Sequence, residues 1–195
     1  MIFFRQIQIS KAILLIAGCA LFYLPSAVLA DQYDAPGPEV ARSVPGARSA
    51  GTTRLKVWGF EVYDAHLWTA PGFQAVDYAG HAFALELRYL RSFEGQAIAQ
   101  RSIQEMQRLG SPSDAQTAQW LAQMRAIFPN VRPGDRLLGV HQPGVGAAFL
   151  FNGKPIGELR DGEFARLFFG IWLSPKTSQA QMRRELVGAD APTRP

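Results

Sequence analysis

The stretch that decides the fold is "RLLGVHQPGVGAAFLFNGKPIGELR", residues 136–160. It holds three short apolar runs, "RLLGVHQ", "GAAFLFN" and "KPIGELR", broken by "PGVG" and "NGK". Asn-Gly between alternating apolar residues is a strong hairpin signal, because both turn residues must take positive φ. Three strands with such short breaks pair antiparallel; a parallel pair needs a crossover of a dozen residues or more.

Upstream, Arg54–Trp58 and Phe60–Thr69 flank Gly59 and read as a first hairpin. "HAFALELRYLR" alternates, with Phe83, Leu85, Leu87 and Tyr89 on one face and Glu86, Arg88 and Leu90 on the other. Helical periodicity takes over next. Ser92 is positioned to cap a helix to about Leu109, with Ile98, Met106 and Leu109 on its apolar side and Ser102 among them. Ser113 and Gln116 form a capping box for a second helix through Phe128, with Trp120, Leu121, Met124 and Ile127 inward. Asp161 caps "GEFARLFFGIW", and Ser178 with Gln181 caps "QAQMRRELV". The order ββ, β, αα, βββ, αα predicts an α+β domain: an antiparallel sheet with helices on one face.

The N-terminus carries an export signal. "MIFFRQIQISK" bears two positive charges and no acid, and "AILLIAGCALFYLPSAVLA" is apolar, with Pro25 and then Val28 and Ala30 before a polar stretch. That pattern predicts cleavage after Ala30 and a periplasmic location. Two alternatives compete. Residues 12–30 could stay as a membrane anchor, and "IAGC" resembles a lipobox that would lipidate Cys19. Membrane contact is expected only through these. The reading divides the chain into a signal peptide (1–30), a Pro/Gly/Ser-rich flexible leader (31–52), a folded domain (53–188) and a tail (189–195).

Charge excludes nucleic acid as a partner. Of 20 Lys+Arg, Arg5 and Lys11 fall in the N-terminal segment, which leaves 18 against 16 Asp+Glu and no basic stripe. With ordinary cleavage the single cysteine is removed, and with it thiolate nucleophiles, disulfides and cysteine metal sites. His66, His81 and His141 have no partner at metal-ligand spacing, so no metal is expected. "GVGAAF" opens into a strand instead of a helix, so no phosphate-cradling loop and no cofactor is expected. There is no G-x-S-x-G elbow.

"VYDAHLW", residues 62–68, suggests an Asp64–His66 catalytic pair. Residues two apart on a strand share a face, but their side chains stand parallel, with Cβ atoms roughly 6.5 Å apart. A solvent-side polar pair is the simpler reading. Tyr63 points the other way, and Arg54 lies on the partner strand. A buried tyrosine seeks a hydroxyl partner and arginine clamps carboxylates, so Arg54 and Tyr63 could hold the anionic head of an apolar ligand. A tyrosine satisfied by backbone and an arginine lying along the surface is the equally open alternative.

Several separated segments resemble bacterial chalcone isomerase-like proteins: "GTTRLKVWGFEVYDAHLW", "FALELRYLR" running into "IAQRSIQEM", "RPGDRL", "FNGKPIGEL" and "FARLFFGIWLSP". The resemblance covers about residues 50–188. It implies the chalcone isomerase fold, an open-faced β-sandwich with a layer of helices. It also implies either a non-catalytic binder of a lipophilic carboxylic acid such as a fatty acid, or an isomerase acting as an intramolecular lyase on a phenolic ligand. Arg54 looks like the strand arginine shared by the family's enzymes and fatty-acid binders, and Tyr63 resembles the tyrosine that helps hold the carboxylate. Where the plant enzymes have a threonine after that tyrosine, Asp64 stands here. The expected binding set is Arg54, Tyr63, Tyr89, Ser102 and Met106, with Arg54 and Tyr63 catalytic in the isomerase alternative. An envelope interaction module without ligand is the third possibility.

Overall fold

The computed structural model describes residues 35–188. The segment predicted to be a signal peptide, the start of the predicted leader and the tail lie outside them. Six strands form one antiparallel sheet in sequence order: β1 (Arg48–Val57), β2 (Phe60–Thr69), β3 (Phe83–Tyr89), β4 (Arg136–Gln142), β5 (Gly146–Phe151) and β6 (Lys154–Leu159). A short helix α1 (Pro38–Ser43) precedes β1. Helices α2 (Gly95–Leu109) and α3 (Asp114–Ile127) lie between β3 and β4, and α4 (Gly162–Leu173) and α5 (Ala180–Leu186) follow β6. The predicted α+β architecture is observed.

Both two-residue hairpin turns are of the mirror-image kind that matches strand twist. Trp58 and Gly59 have φ of 50° and 80°, and Asn152 and Gly153 have 49° and 80°. Between β1 and β2 the register then slips. Lys56 pairs with Glu61, but Leu55 pairs with Tyr63 and Arg54 with Asp64, which leaves Val62 as an extra residue on β2. That bulge sets which side chains share a face.

One face of the sheet is covered by α2 to α5. Strand residues Leu67, Phe83 and Phe149 meet Trp120, Phe164, Phe169 and Leu173 there, each buried. Every such large side chain contributes about 1.5–3 kcal/mol by leaving water. Helix α4 is apolar nearly all round, with eight buried residues, because it is held between the sheet and α2. Gly139 makes this close approach possible: a Cβ there would lie 3.0 Å from Phe169 Cε1.

The helix termini follow the sequence in two cases and depart in two. The capping box Ser113/Gln116 and the Asp161 cap are both formed. Helix α2 starts at Gly95, not beside Ser92. Phe93 is bridged to Val131, which keeps this stretch extended, and the Gly95 N–H donates to Asn130 Oδ1 (3.0 Å). Ser178 does not cap α5: its hydroxyl donates to Glu105 Oε2 (3.0 Å), across on α2.

The leader reading needs correction. Residues 38–43 are helical and β1 begins at Arg48, so order starts well before residue 53. Helix α1 covers part of the other face of the sheet. Val40 and Val44 pack on Trp68, Ala84, Leu138 and Val140, and Glu39 pairs with Arg136 (3.3 Å), which also holds Glu86 (3.1 Å). Helices therefore occupy both faces, unequally.

Candidate functional site

Arg54 and Tyr63 are not brought together. A two-residue turn without a bulge would set Arg54 opposite Tyr63. The extra Val62 moves Arg54 opposite Asp64, and with a side-chain period of two a one-residue slip exchanges faces. Arg54 stands on the outer face. Its Nε donates to Asp64 Oδ1 (2.5 Å), its Nη2 to Asp64 Oδ2 (2.9 Å), and its Nη1 pairs with Glu61 (3.0 Å). These two carboxylates push the guanidinium pKa up. Arg54 is thus neutralised within the hairpin itself.

Around it the outer face is a polar concavity of about 420 Å³, lined by Arg54, Asp64, His66, Glu86 and Arg88 among others. His66 is stacked on Trp68, with ring centroids 3.8 Å apart, and its Nε2 lies 2.8 Å from Ser49 Oγ. Asp64 is occupied by Arg54. The Asp64–His66 motif therefore does not form a catalytic pair.

Tyr63 faces the helices. Its hydroxyl accepts a hydrogen bond from Trp172 Nε1 on α4 (3.0 Å). Its ring meets that of Tyr89 edge to face, with centroids 6.0 Å apart, as their pairing across β2 and β3 requires. Among the described residues neither phenolic proton has an acceptor. Burial drives both phenol pKa values well above the ordinary tyrosine range; Trp172 and the charge of Arg101 oppose the rise at Tyr63, while Glu105 adds to it. Both remain neutral donors. Ser102 and Met106 lie buried on α2, and Met106 shares the core cluster with Tyr89. Ser102 spends its proton on the Ile98 carbonyl (3.0 Å), so its hydroxyl is less available than the sequence suggests.

Three residues near this site were not singled out by sequence. Trp172 ends the helical run "GEFARLFFGIW", and only its indole N–H aimed at Tyr63 gives it a polar role. Glu105 is 7% exposed. Its Oε1 sits 2.5 Å from Arg101 Nη2 and 3.7 Å from Arg108 Nη1, without hydrogen-bond alignment, and its Oε2 takes the Ser178 proton. The signal for it was legible: a carboxylate three residues after Ser102 and one before Met106, on the buried side of α2. Arg101 reaches from the helix surface, its side chain 62% exposed. It is the cation whose charge is felt at Tyr63.

His141 is buried, its Nδ1 2.8 Å from the His81 carbonyl and its ring stacked on Phe83. It is a packing residue. No cluster of three or more His, Cys, Asp or Glu among the described residues could hold a metal ion, and no described helix is long and apolar enough to cross a membrane.

An uncharacterized protein of Haemophilus influenzae is 31% identical over 133 residues, which are 67% of this chain and 63% of that protein's length. The chain thus matches somewhat under two thirds of that relative. The crystal structure of a fatty-acid binding protein of Arabidopsis thaliana superposes with a TM-score of 0.58 at 10% identity, covering 80% of this chain and 96% of that one. At such identity it establishes the fold. A model of chalcone isomerase-like proteins matches residues 48–188, from the first residue of β1 to two residues past the end of α5. Sheet, helix layer and the segments quoted from the sequence all fall inside that match, and the chain belongs to the chalcone isomerase-like family.

Proposed function

We propose that this protein is a non-catalytic binder of a lipophilic carboxylic acid, such as a fatty acid, held between the sheet and the helix layer. The observation that carries the reading is the pair of neutral, buried phenols, Tyr63 and Tyr89, set in an apolar layer with unspent protons. Such donors suit a carboxylate, and Arg101, whose charge is felt at Tyr63, supplies the countercharge by leaving Glu105. Tyr89, Ser102 and Met106 line the apolar side. The fatty-acid binding of the Arabidopsis relative in fold agrees with this reading. The isomerase alternative rests on Arg54 acting beside Tyr63, and these residues lie on opposite faces. Export to the periplasm rests on the pattern of residues 1–30. The mass of the protein from the envelope fraction tests it: a chain beginning at Asp31 is expected, and one retaining residues 1–30 overturns it.

Native mass spectrometry with added palmitate tests the ligand. A one-to-one adduct is expected, weakened about tenfold or more by Tyr63→Phe, as for loss of a hydrogen bond to a charged group. Arg54→Ala is expected to bind as the unmodified protein does. Absence of an adduct, or equal binding by Tyr63→Phe, overturns the proposal.

A further inference from the structure

The tip of the first hairpin is built against the usual rule for such turns. Trp58 sits at φ 50° and is 94% exposed, followed by Gly59 and flanked by Val57 (42%) and Phe60 (58%). A side chain with a Cβ in this conformation costs about 1 kcal/mol, and asparagine or glycine is preferred. The same chain uses that preferred solution at Asn152-Gly153, where φ values are almost identical. A large aromatic therefore occupies a strained position in which it packs against nothing in the fold.

Cations stand at the same end of the sheet as this tip, spread from its β1 edge to its β6 edge. The Trp58-Gly59 turn, the end of β3, the start of β4 and the Asn152-Gly153 turn all lie at one end of the sheet. Exposed Lys56, Arg91, Arg132 and Lys154 stand there. The Arg91 guanidinium lies 4.8 Å from the centre of the Phe60 ring. Arg91, Arg132 and Lys154 form no ion pair among the described residues, although the charge of Arg132 is felt at Asp135, and Lys56 is shared with Glu61 (3.5 Å).

We infer that this end of the sheet docks on an anionic lipid bilayer, with Trp58, Phe60 and Val57 entering the interface and Arg91, Arg132 and Lys154 meeting the headgroups. Tryptophan with one apolar and one polar edge settles at that depth, and each basic residue near the surface adds about 1 kcal/mol, roughly a fivefold gain in binding. A protein partner fits less well. Three apolar side chains on a projecting turn are far from the roughly 800 Å² per side of a stable protein interface. This contact is separate from any made by residues 1–30 and does not depend on the ligand proposal.

The test reads the tip itself. Full-length protein is mixed with vesicles of phosphatidylcholine and phosphatidylglycerol carrying bromine on the acyl chains, and tryptophan emission is followed. Trp68, Trp120 and Trp172 are buried, so the component lost in Trp58→Asn belongs to the tip. Trp58→Asn installs the Asn-Gly turn already present at residues 152–153, so it retains the fold. Quenching of the Trp58 component is expected, weaker with phosphatidylcholine alone and weaker by several fold in Arg91→Gln/Arg132→Gln. Anchoring through residues 12–30 with the tip left in water gives no such quenching and overturns the inference. So does Trp58 emission that shifts with protein concentration in the absence of vesicles, which would mark a contact between copies.

Discussion

His141 is the residue at which acid should be felt. Burial lowers its pKa below the ordinary histidine range, and only the hydrogen bond to the His81 carbonyl opposes this. The unfolded chain therefore takes up this proton at a higher pH than the folded chain does. The stability contributed is full above about pH 6.5 and is lost as pH falls through the lower folded value. Thermal melts between about pH 7.5 and pH 5 are expected to show it. His141→Phe, which keeps the ring between Phe83 and Phe169, should flatten the slope. An unchanged slope in the variant would assign the acid sensitivity elsewhere. The residue scale is also where the sequence misleads. Strand alternation places Tyr63 inward and Asp64 and His66 outward, as observed, but it carries no mark of the bulge at Val62. Whether Arg54 meets Tyr63 or Asp64 turns on that one unpaired residue, and Arg54 meets Asp64.

Among the elements, α4 depends most on one side chain. Asp161 Oδ1 accepts the N–H groups of Glu163 (2.9 Å) and Phe164 (3.0 Å), and Oδ2 accepts Trp120 Nε1 (2.9 Å). One carboxylate thus caps α4 and satisfies a buried indole on α3. Asp161→Ala is expected to cost about 2–4 kcal/mol in chemical denaturation: about 1 for the cap and 1–3 for the stranded N–H. Asp161→Asn, which still offers an oxygen, should cost less. A loss under about 1 kcal/mol for alanine would mean water replaces both roles. The cap was readable because it acts within four residues of sequence. The Trp120 bond was not, since it joins positions 41 residues apart. The same reason explains Ser178: locally it is an ideal cap, yet α5 starts after Gln179 and the Ser178 hydroxyl is turned to buried Glu105, 73 residues away.

For the whole molecule, the decisive segment is the one that composition marks as linker. Helix α1 seals Trp68, Ala84, Leu138 and Val140, and Arg48–Thr52 pair with β2 along half of the first ladder. A chain begun at Asp31 keeps all of this, whereas one begun at residue 53 exposes that apolar patch and leaves His66–Thr69 of β2 as a bare edge. The longer chain is expected to melt cooperatively and the shorter one to lose its cooperative transition. Equal melting would show α1 to be dispensable.

What sequence by itself determined is whatever acts over a few residues: the alternation of β2 and β3, the Asn-Gly turn, the caps of α3 and α4, and the order of elements that makes an antiparallel sheet with a helix layer. Periodicity and capping are local physics, and the chain displays them without folding. The family was legible for the same reason, in short segments kept in order. Tertiary structure alone decided which side chains meet. It neutralised Arg54 on the outer face, joined Tyr63 to Trp172 across 109 positions, buried Glu105 beside Arg101, and left Trp58 standing free at the tip. Those outcomes depend on register and on packing between distant elements, where one extra residue in a strand reassigns a whole face.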